Sequence, residues 1–117
     1  MNDTPKLTEK HCVPCEGGMP PLTLEEYSKL LVETPDWSVV EEKIIKRDFK
    51  FKDFKEALEF VNKVGEVAES EGHHPDINLH NWNKVEITLS THAIKGLTEN
   101  DFIVAAKLNK IYTKILG

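Results

Sequence analysis

Two short stretches carry side chains able to do chemistry near neutral pH: Gly72-His73-His74-Pro75 and Ser90-Thr91-His92. Imidazole is the side chain whose unperturbed pKa lies near physiological pH, so rings brought together can present one acid and one base at once. An adjacent histidine pair on a mobile loop would be no more than solvated polar surface. Here Gly72 has the place of a helix C-cap, and Pro75 disfavours helical dihedrals at His74. The resulting bend is rigid and projects both rings from the rim of the fold. His92 closes a strand-like run, and the expected topology sets it at the same end as the pair, so that three imidazoles converge on one pocket. His80 falls within a strand and reads as a sheet-face residue, and His11 has no assigned role.

Convergent histidines suit either a metal or proton transfer. A zinc site would usually add a carboxylate or thiolate with supporting partners, the HExxH spacing is absent, and neighbours in a bend rarely aim at one ion. Acid/base work therefore fits better, and no metal ligand is assigned. Cys12-Val13-Pro14-Cys15, beside His11, could be a redox pair or half a zinc site. It lacks both a second pair and a strand-to-helix setting, and reads as a loop with reduced thiols outside the site. Trp37 and Trp82 are core or interface residues by default, and could instead wall a flat heterocyclic ligand. No glycine-rich phosphate loop, serine nucleophile elbow or basic-aromatic ladder is present to support nucleotide-dependent or covalent chemistry.

The elements that must position these rings follow from periodicity. Residues 1–22 hold Pro5, Pro14, Gly17, Gly18, Pro20 and Pro21 and read as a loop or tail. Thr23 and Glu26 form a capping box, and Leu24, Tyr27, Leu30 and Leu31 share one helical face before Pro35. Ser38 to Glu42, and the alternation of Ile45, Arg47, Phe49 and Phe51, predict a hairpin. Asp53 caps a second helix through Phe54, Ala57, Leu58, Val61, Val64 and Ala68, ending near Gly72. Ile77 and Leu79, then Val85, Ile87, Leu89 and Thr91, predict a second hairpin around Trp82-Asn83. Thr98 and Asp101 open a last helix through Phe102, Ala105, Ala106, Leu108, Ile111, Tyr112 and Ile115. The order α-β-β-α-β-β-α favours the α+β class, a four-stranded antiparallel sheet with three helices packed on one face.

The chain as a whole sets limits on function. Its 117 residues make one domain at roughly 150 residues per domain, read as residues 23–117 behind the tail. With 39% apolar and 30% charged residues it should fold, and a formal charge of −5 argues against direct binding to nucleic acid. Two cysteines make no disulfide framework, residues 1–10 hold no apolar stretch, and the longest apolar run, Phe102 to Ala106, is far short of the roughly 20 residues that span a bilayer. A cytoplasmic protein without a membrane role is expected. The uncovered face and edges of such a sheet suggest pairing with a copy of itself.

From about Leu22 onward the chain resembles the pterin-4a-carbinolamine dehydratases, also called 4a-hydroxytetrahydrobiopterin dehydratases. The resemblance rests on Gly72-His73-His74-Pro75, Asn83-Lys84-Val85, Ile87-Thr88-Leu89-Ser90-Thr91-His92 and Gly96-Leu97-Thr98-Glu99-Asn100-Asp101. The combination, at this separation and in this element order, is far more specific than either histidine motif alone. It implies dehydration of 4a-hydroxytetrahydropterin to the quinonoid dihydropterin, with no metal or organic cofactor and a pterin as the small-molecule partner. It also implies a homodimer or homotetramer. By resemblance His73 and His92 transfer protons, with roles that could be exchanged, while His74 orients the pterin. Gly72, Ser90, Thr91 and Ala93 match positions lining the substrate site, and Trp37, Glu69 and Asp101 match residues near the pocket. Animal members carry an acidic residue where this chain has Gly72, and the stretch from Pro75 to Asn83 is one residue longer here. Residues 12–18 are similar to bacterial and plant-type members. Two other readings belong to the same resemblance: a non-catalytic dimerisation module, as animal relatives serve a homeodomain transcription factor, and action on another pterin linked to molybdenum cofactor metabolism.

Overall fold

Local signals at the helix ends account for where the elements start and stop. The computed structural model describes residues 6–14 and 19–117. Helix α1 is Leu24–Leu31, strands β1 and β2 are Ser38–Val40 and Ile44–Lys50, helix α2 is Phe54–Glu71, strands β3 and β4 are Asp76–His80 and Lys84–Leu89, and helix α3 is Glu99–Leu116. The expected order is borne out. At α1 the Thr23 hydroxyl accepts the Glu26 N–H while the Glu26 carboxylate accepts the Thr23 N–H, satisfying two otherwise orphaned donors. At α2 the Asp53 carboxylate accepts the Glu56 N–H, and the helix ends on Gly72 in the left-handed region (φ 64°), where a side chain would be strained.

The sheet is antiparallel throughout, in the order β1-β2-β4-β3. Its pairing places Ile45 opposite Leu89, Arg47 opposite Ile87 and Phe49 opposite Val85, so these side chains share one face. Phe60 and Val64 of α2 and Phe102 and Leu108 of α3 are buried in the same core as Ile45, Phe49, Val85, Ile87 and Leu89. Each such side chain contributes roughly 1.5–3 kcal/mol by leaving water. Arg47 is tolerated on this face because its guanidinium lies 4.5 Å from the Phe49 ring centre and donates to Asn109 Oδ1. The other face carries Lys46, Asp48, Lys84, Glu86 and Thr88.

Two strand ends shift from the sequence expectation. The first strand ends at Val40 rather than Glu42, because Glu41 and Glu42 take up φ of 53° and 59° to reverse the chain. Strand β4 ends at Leu89, and Thr91 pairs with Gly96 across a tight turn in place of continuing the strand. The N-terminal segment read as loop or tail is, over residues 6–14, a docked loop: Leu7–Glu9 form a single 3-10 turn against α3 and Leu7 is buried in the core. Cys15 lies outside the described residues. Among the described residues no helix is long and apolar enough to cross a membrane.

Gly96 fixes the Thr91–Gly96 turn by close approach, since a Cβ there would sit 2.7 Å from Pro21 Cβ. A proline ring has little freedom to give way. Gly96→Ala is expected to destabilise the chain by about 1–3 kcal/mol, read as a lower urea midpoint at unchanged slope. An unaltered midpoint would show that Pro21 moves freely.

Candidate active site

The pairing of Asp76 with Thr88 brings the start of β3 beside the end of β4. The bend after α2 and the turn after β4 therefore meet at one end of the sheet. Between them lies a cleft of about 560 Å³ lined by Gly72, His73, His74, Ser90, Thr91, His92 and Ala93, together with Cys12, Val13, Pro14, Glu71 and Asn100. That volume is in the range of small-molecule sites. All seven residues expected to line a substrate pocket are brought together here.

The best-held ring is His73. Its Nε2 lies 2.6 Å from Asp101 Oδ1, and Asp101 is fully buried. The second oxygen of Asp101 accepts from the Thr91 hydroxyl and from the Thr98 N–H, both at 3.0 Å. The Thr98 hydroxyl lies 2.9 Å from that of Thr91. One carboxylate in the first turn of α3, where the helix dipole favours negative charge, thus fixes His73, Thr91 and the helix start together. With Nε2 engaged, Nδ1 is the His73 nitrogen left for a ligand. His74 Nε2 lies 2.5 Å from Glu69 Oε2; both side chains are exposed, so the pair orients the ring more than it stabilises the fold. His92 is exposed, in a turn closed by the Thr91 N–H to Gly96 carbonyl bond of 3.0 Å. Among the described residues its ring has no hydrogen-bond partner.

Glu69 and Asp101 thus contact His74 and His73, and neither lines the cleft. Trp37 is not brought there: it is buried against Phe49, and its indole N–H donates to Asn109 Oδ1 at 2.8 Å. Trp82 is exposed in the β3–β4 turn, at the opposite end of the hairpin, and His80 lies near it.

Glu71, Asn100 and Cys12-Val13-Pro14 are cleft residues that sequence reasoning left out. Burial by itself would raise the Glu71 pKa, but the Lys107 ammonium, the Cys12 N–H and His11 outweigh it and hold the carboxyl at about 2. Burial, reinforced by the charge of Glu71, pushes the Cys12 thiol up to about 12. Cys12 is therefore a protonated wall residue and a poor nucleophile at neutral pH. Among the described residues no group of three or more His, Cys, Asp or Glu side chains is placed to hold a metal ion.

Comparison with known proteins places the chain in a family. Residues 20–111 match the family model described as pterin 4 alpha carbinolamine dehydratase. A protein of Rubrobacter xylanophilus, named as a candidate pterin-4-alpha-carbinolamine dehydratase, is 53% identical over 106 residues, covering 91% of this chain and 98% of its own. A similarly named protein of Methylococcus capsulatus is 51% identical over 110 residues, covering 93% and 96%. Among solved structures, a transcriptional coactivator/pterin dehydratase from Brucella melitensis is 38% identical with a TM-score of 0.74, over 79% of this chain and 98% of its own. A pterin dehydratase-like RuBisCO assembly factor of the alpha-carboxysome has a TM-score of 0.57 at 21% identity, over 68% and 93%, and shares the fold alone. With the histidine cleft, the element order and these matches all in accord, the chain belongs to the pterin 4 alpha carbinolamine dehydratase family.

Proposed function

We propose that this chain dehydrates a 4a-hydroxytetrahydropterin to the quinonoid dihydropterin by histidine acid/base catalysis. The observation that carries the reading is three imidazoles lining one small-molecule cleft, one of them seated on a buried carboxylate. The chemistry asks for two proton transfers. An acid protonates the hydroxyl leaving carbon 4a, a base takes the proton from nitrogen 5, and the electron pair of that N–H bond forms the C4a=N5 double bond as water departs. The balance closes with no oxidant and no cofactor.

His73 and His92 are the proton-transfer groups in this reading, and His74 binds and orients the pterin. Which ring is acid and which is base belongs to the coupled pair rather than to either residue. Gly72, Ser90, Thr91 and Ala93 complete the binding surface, and Glu69 and Asp101 hold His74 and His73 in place. A homodimeric or homotetrameric state in the cytoplasm is part of the same proposal. Phe54 and Leu58, one turn apart on α2 and 49% and 41% exposed, support association. The test supplies purified protein with freshly generated 4a-hydroxytetrahydropterin and follows the quinonoid product, with the mass of the active species measured in the same preparation. Acceleration over the spontaneous reaction is expected. Its absence would sink the enzymatic reading and favour the dimerisation module, and acceleration only with another pterin would reassign the substrate.

A further inference from the structure

Residues 11–14 are held across the end of α2 and the start of α3 by side chains that address backbone. Glu71 Oε1 accepts the Cys12 N–H at 2.7 Å, while Oε2 takes Lys107 Nζ at 2.6 Å and lies 3.0 Å from His11 Nδ1. Asn100 grips the next residue from both sides: its Oδ1 accepts the Val13 N–H at 3.1 Å and its Nδ2 donates to the Val13 carbonyl at 2.6 Å. The Glu71 side chain and Asn100 are each 4% exposed. Burying a carboxylate and an ammonium costs desolvation that their attraction only partly returns, so such a pair is a poor choice for stability alone. What this pair and Asn100 hold is a short strap whose Cys12, Val13 and Pro14 line the same cleft as the three histidines. The strap also lies outside residues 20–111, the part of the chain that matches the family model.

We infer that this strap is a substrate-positioning wall: Glu71 and Asn100 clamp it in place, and its apolar Cys12, Val13 and Pro14 support the flat face of the bicyclic substrate while the imidazoles reach the reacting edge. The inference rests on the pterin reading above. A wall of this kind acts on binding and depth of seating, and touches neither proton. Val13 is 66% exposed, an apolar side chain standing at the cleft where a planar ring would cover it. Backbone recognition by Asn100 holds the strap whatever the identity of residue 13, so the side chain at that position can set the fit.

The test uses the full chain in a Cys15→Ser background, which leaves Cys12 as its only thiol. The rate at which Cys12 reacts with a maleimide then reports whether the strap is seated, and steady-state kinetics report whether seating matters. In Asn100→Ala, which leaves the charge beside Cys12 unchanged, Cys12 labelling is expected to speed by at least about tenfold and KM to rise roughly tenfold, with kcat falling much less. In Glu71→Ala, where loss of the carboxylate by itself eases ionisation of the thiol, the rise in KM is the readout. Glu71→Gln, which keeps an acceptor for the Cys12 N–H, should reverse part of that rise in KM. Val13→Gly leaves the clamp intact and should raise KM about threefold with labelling unchanged. It also carries the test if an anchor variant fails to fold. A freed Cys12 with KM within about twofold of the parent, or an unchanged KM in Val13→Gly, would overturn the wall. Failure of the pterin reading looks different, since the parent chain itself would then show no turnover, and the wall would fall with it.

Discussion

Replacing His73 and His92 together by alanine is expected to lower kcat for 4a-hydroxytetrahydropterin by about 10²–10⁴-fold, the range that positioned acid/base groups supply. The two rings would act in one elimination, one delivering a proton to the departing hydroxyl and the other removing a proton from nitrogen 5. Loss of either stalls the same event, so each single variant should already show most of the effect and the double variant little more. Unchanged turnover in the double variant would remove both residues from the mechanism. His74→Ala should behave differently, raising KM more than it lowers kcat, because His74 in this reading binds and orients. Loss of fold is a weak competing explanation for His92, which is exposed and without a side-chain partner among the described residues. For His73, thermal melts of the variant separate lost chemistry from lost packing.

The sequence was most legible where one residue type answers one local demand. Thr23 with Glu26, Asp53, Gly72 and Thr98 with Asp101 marked helix ends because capping is a contact between near neighbours, and the structure forms those caps. The alternation of Val85, Ile87 and Leu89 marked a half-buried strand because a sheet with one covered face imposes a period of two. From those elements alone it followed that His73, His74 and His92 share one end of the sheet. What could not be read was any contact between distant backbone and side chain. Glu71 reaches the Cys12 N–H across 59 positions and Asn100 reaches Val13 across 87, and neither leaves a periodic trace. The spacing of Cys12-Val13-Pro14-Cys15 suggests sulfur chemistry, whereas in the structure Cys12 lines the cleft with its thiol pushed up to about 12 by burial. Trp37 could have been core or ligand wall by composition. Asn109, one acceptor shared by its indole and by Arg47, decides for the core.

Asp101→Asn is expected to cost nearly as much catalysis as losing His73, about 10²–10⁴-fold in kcat, while leaving the ring in place. As a carboxylate, Asp101 only accepts hydrogen bonds, so the His73 nitrogen facing it at 2.6 Å must be Nε2–H. Neutral His73 then offers the lone pair of Nδ1 to the cleft, and on taking a proton there it becomes an imidazolium still paired to the carboxylate. Either half of an acid/base cycle is open to it. An asparagine amide has one accepting and one donating end. Its oxygen is claimed by the Thr91 hydroxyl and the Thr98 N–H, two donors 3.0 Å from Oδ2, so its NH₂ must face the histidine. Nε2 is then forced to accept, the proton moves to Nδ1, and the neutral ring can only donate into the cleft. Protonating Nε2 instead would set donor against donor. The substitution therefore locks the tautomer that cannot take a proton. The cost in stability should be modest, about 1–2 kcal/mol for a weakened helix cap and a lost charge at the start of α3. Three measurements check this together: kcat, the urea midpoint and the ¹⁵N shifts of the His73 ring, which distinguish Nδ1–H from Nε2–H. A fall in kcat with the tautomer switched supports the assignment of Asp101 as the residue that sets His73. A kcat within about threefold of the parent, with the ring switched, would show that His73 Nδ1 is not where the substrate's proton goes.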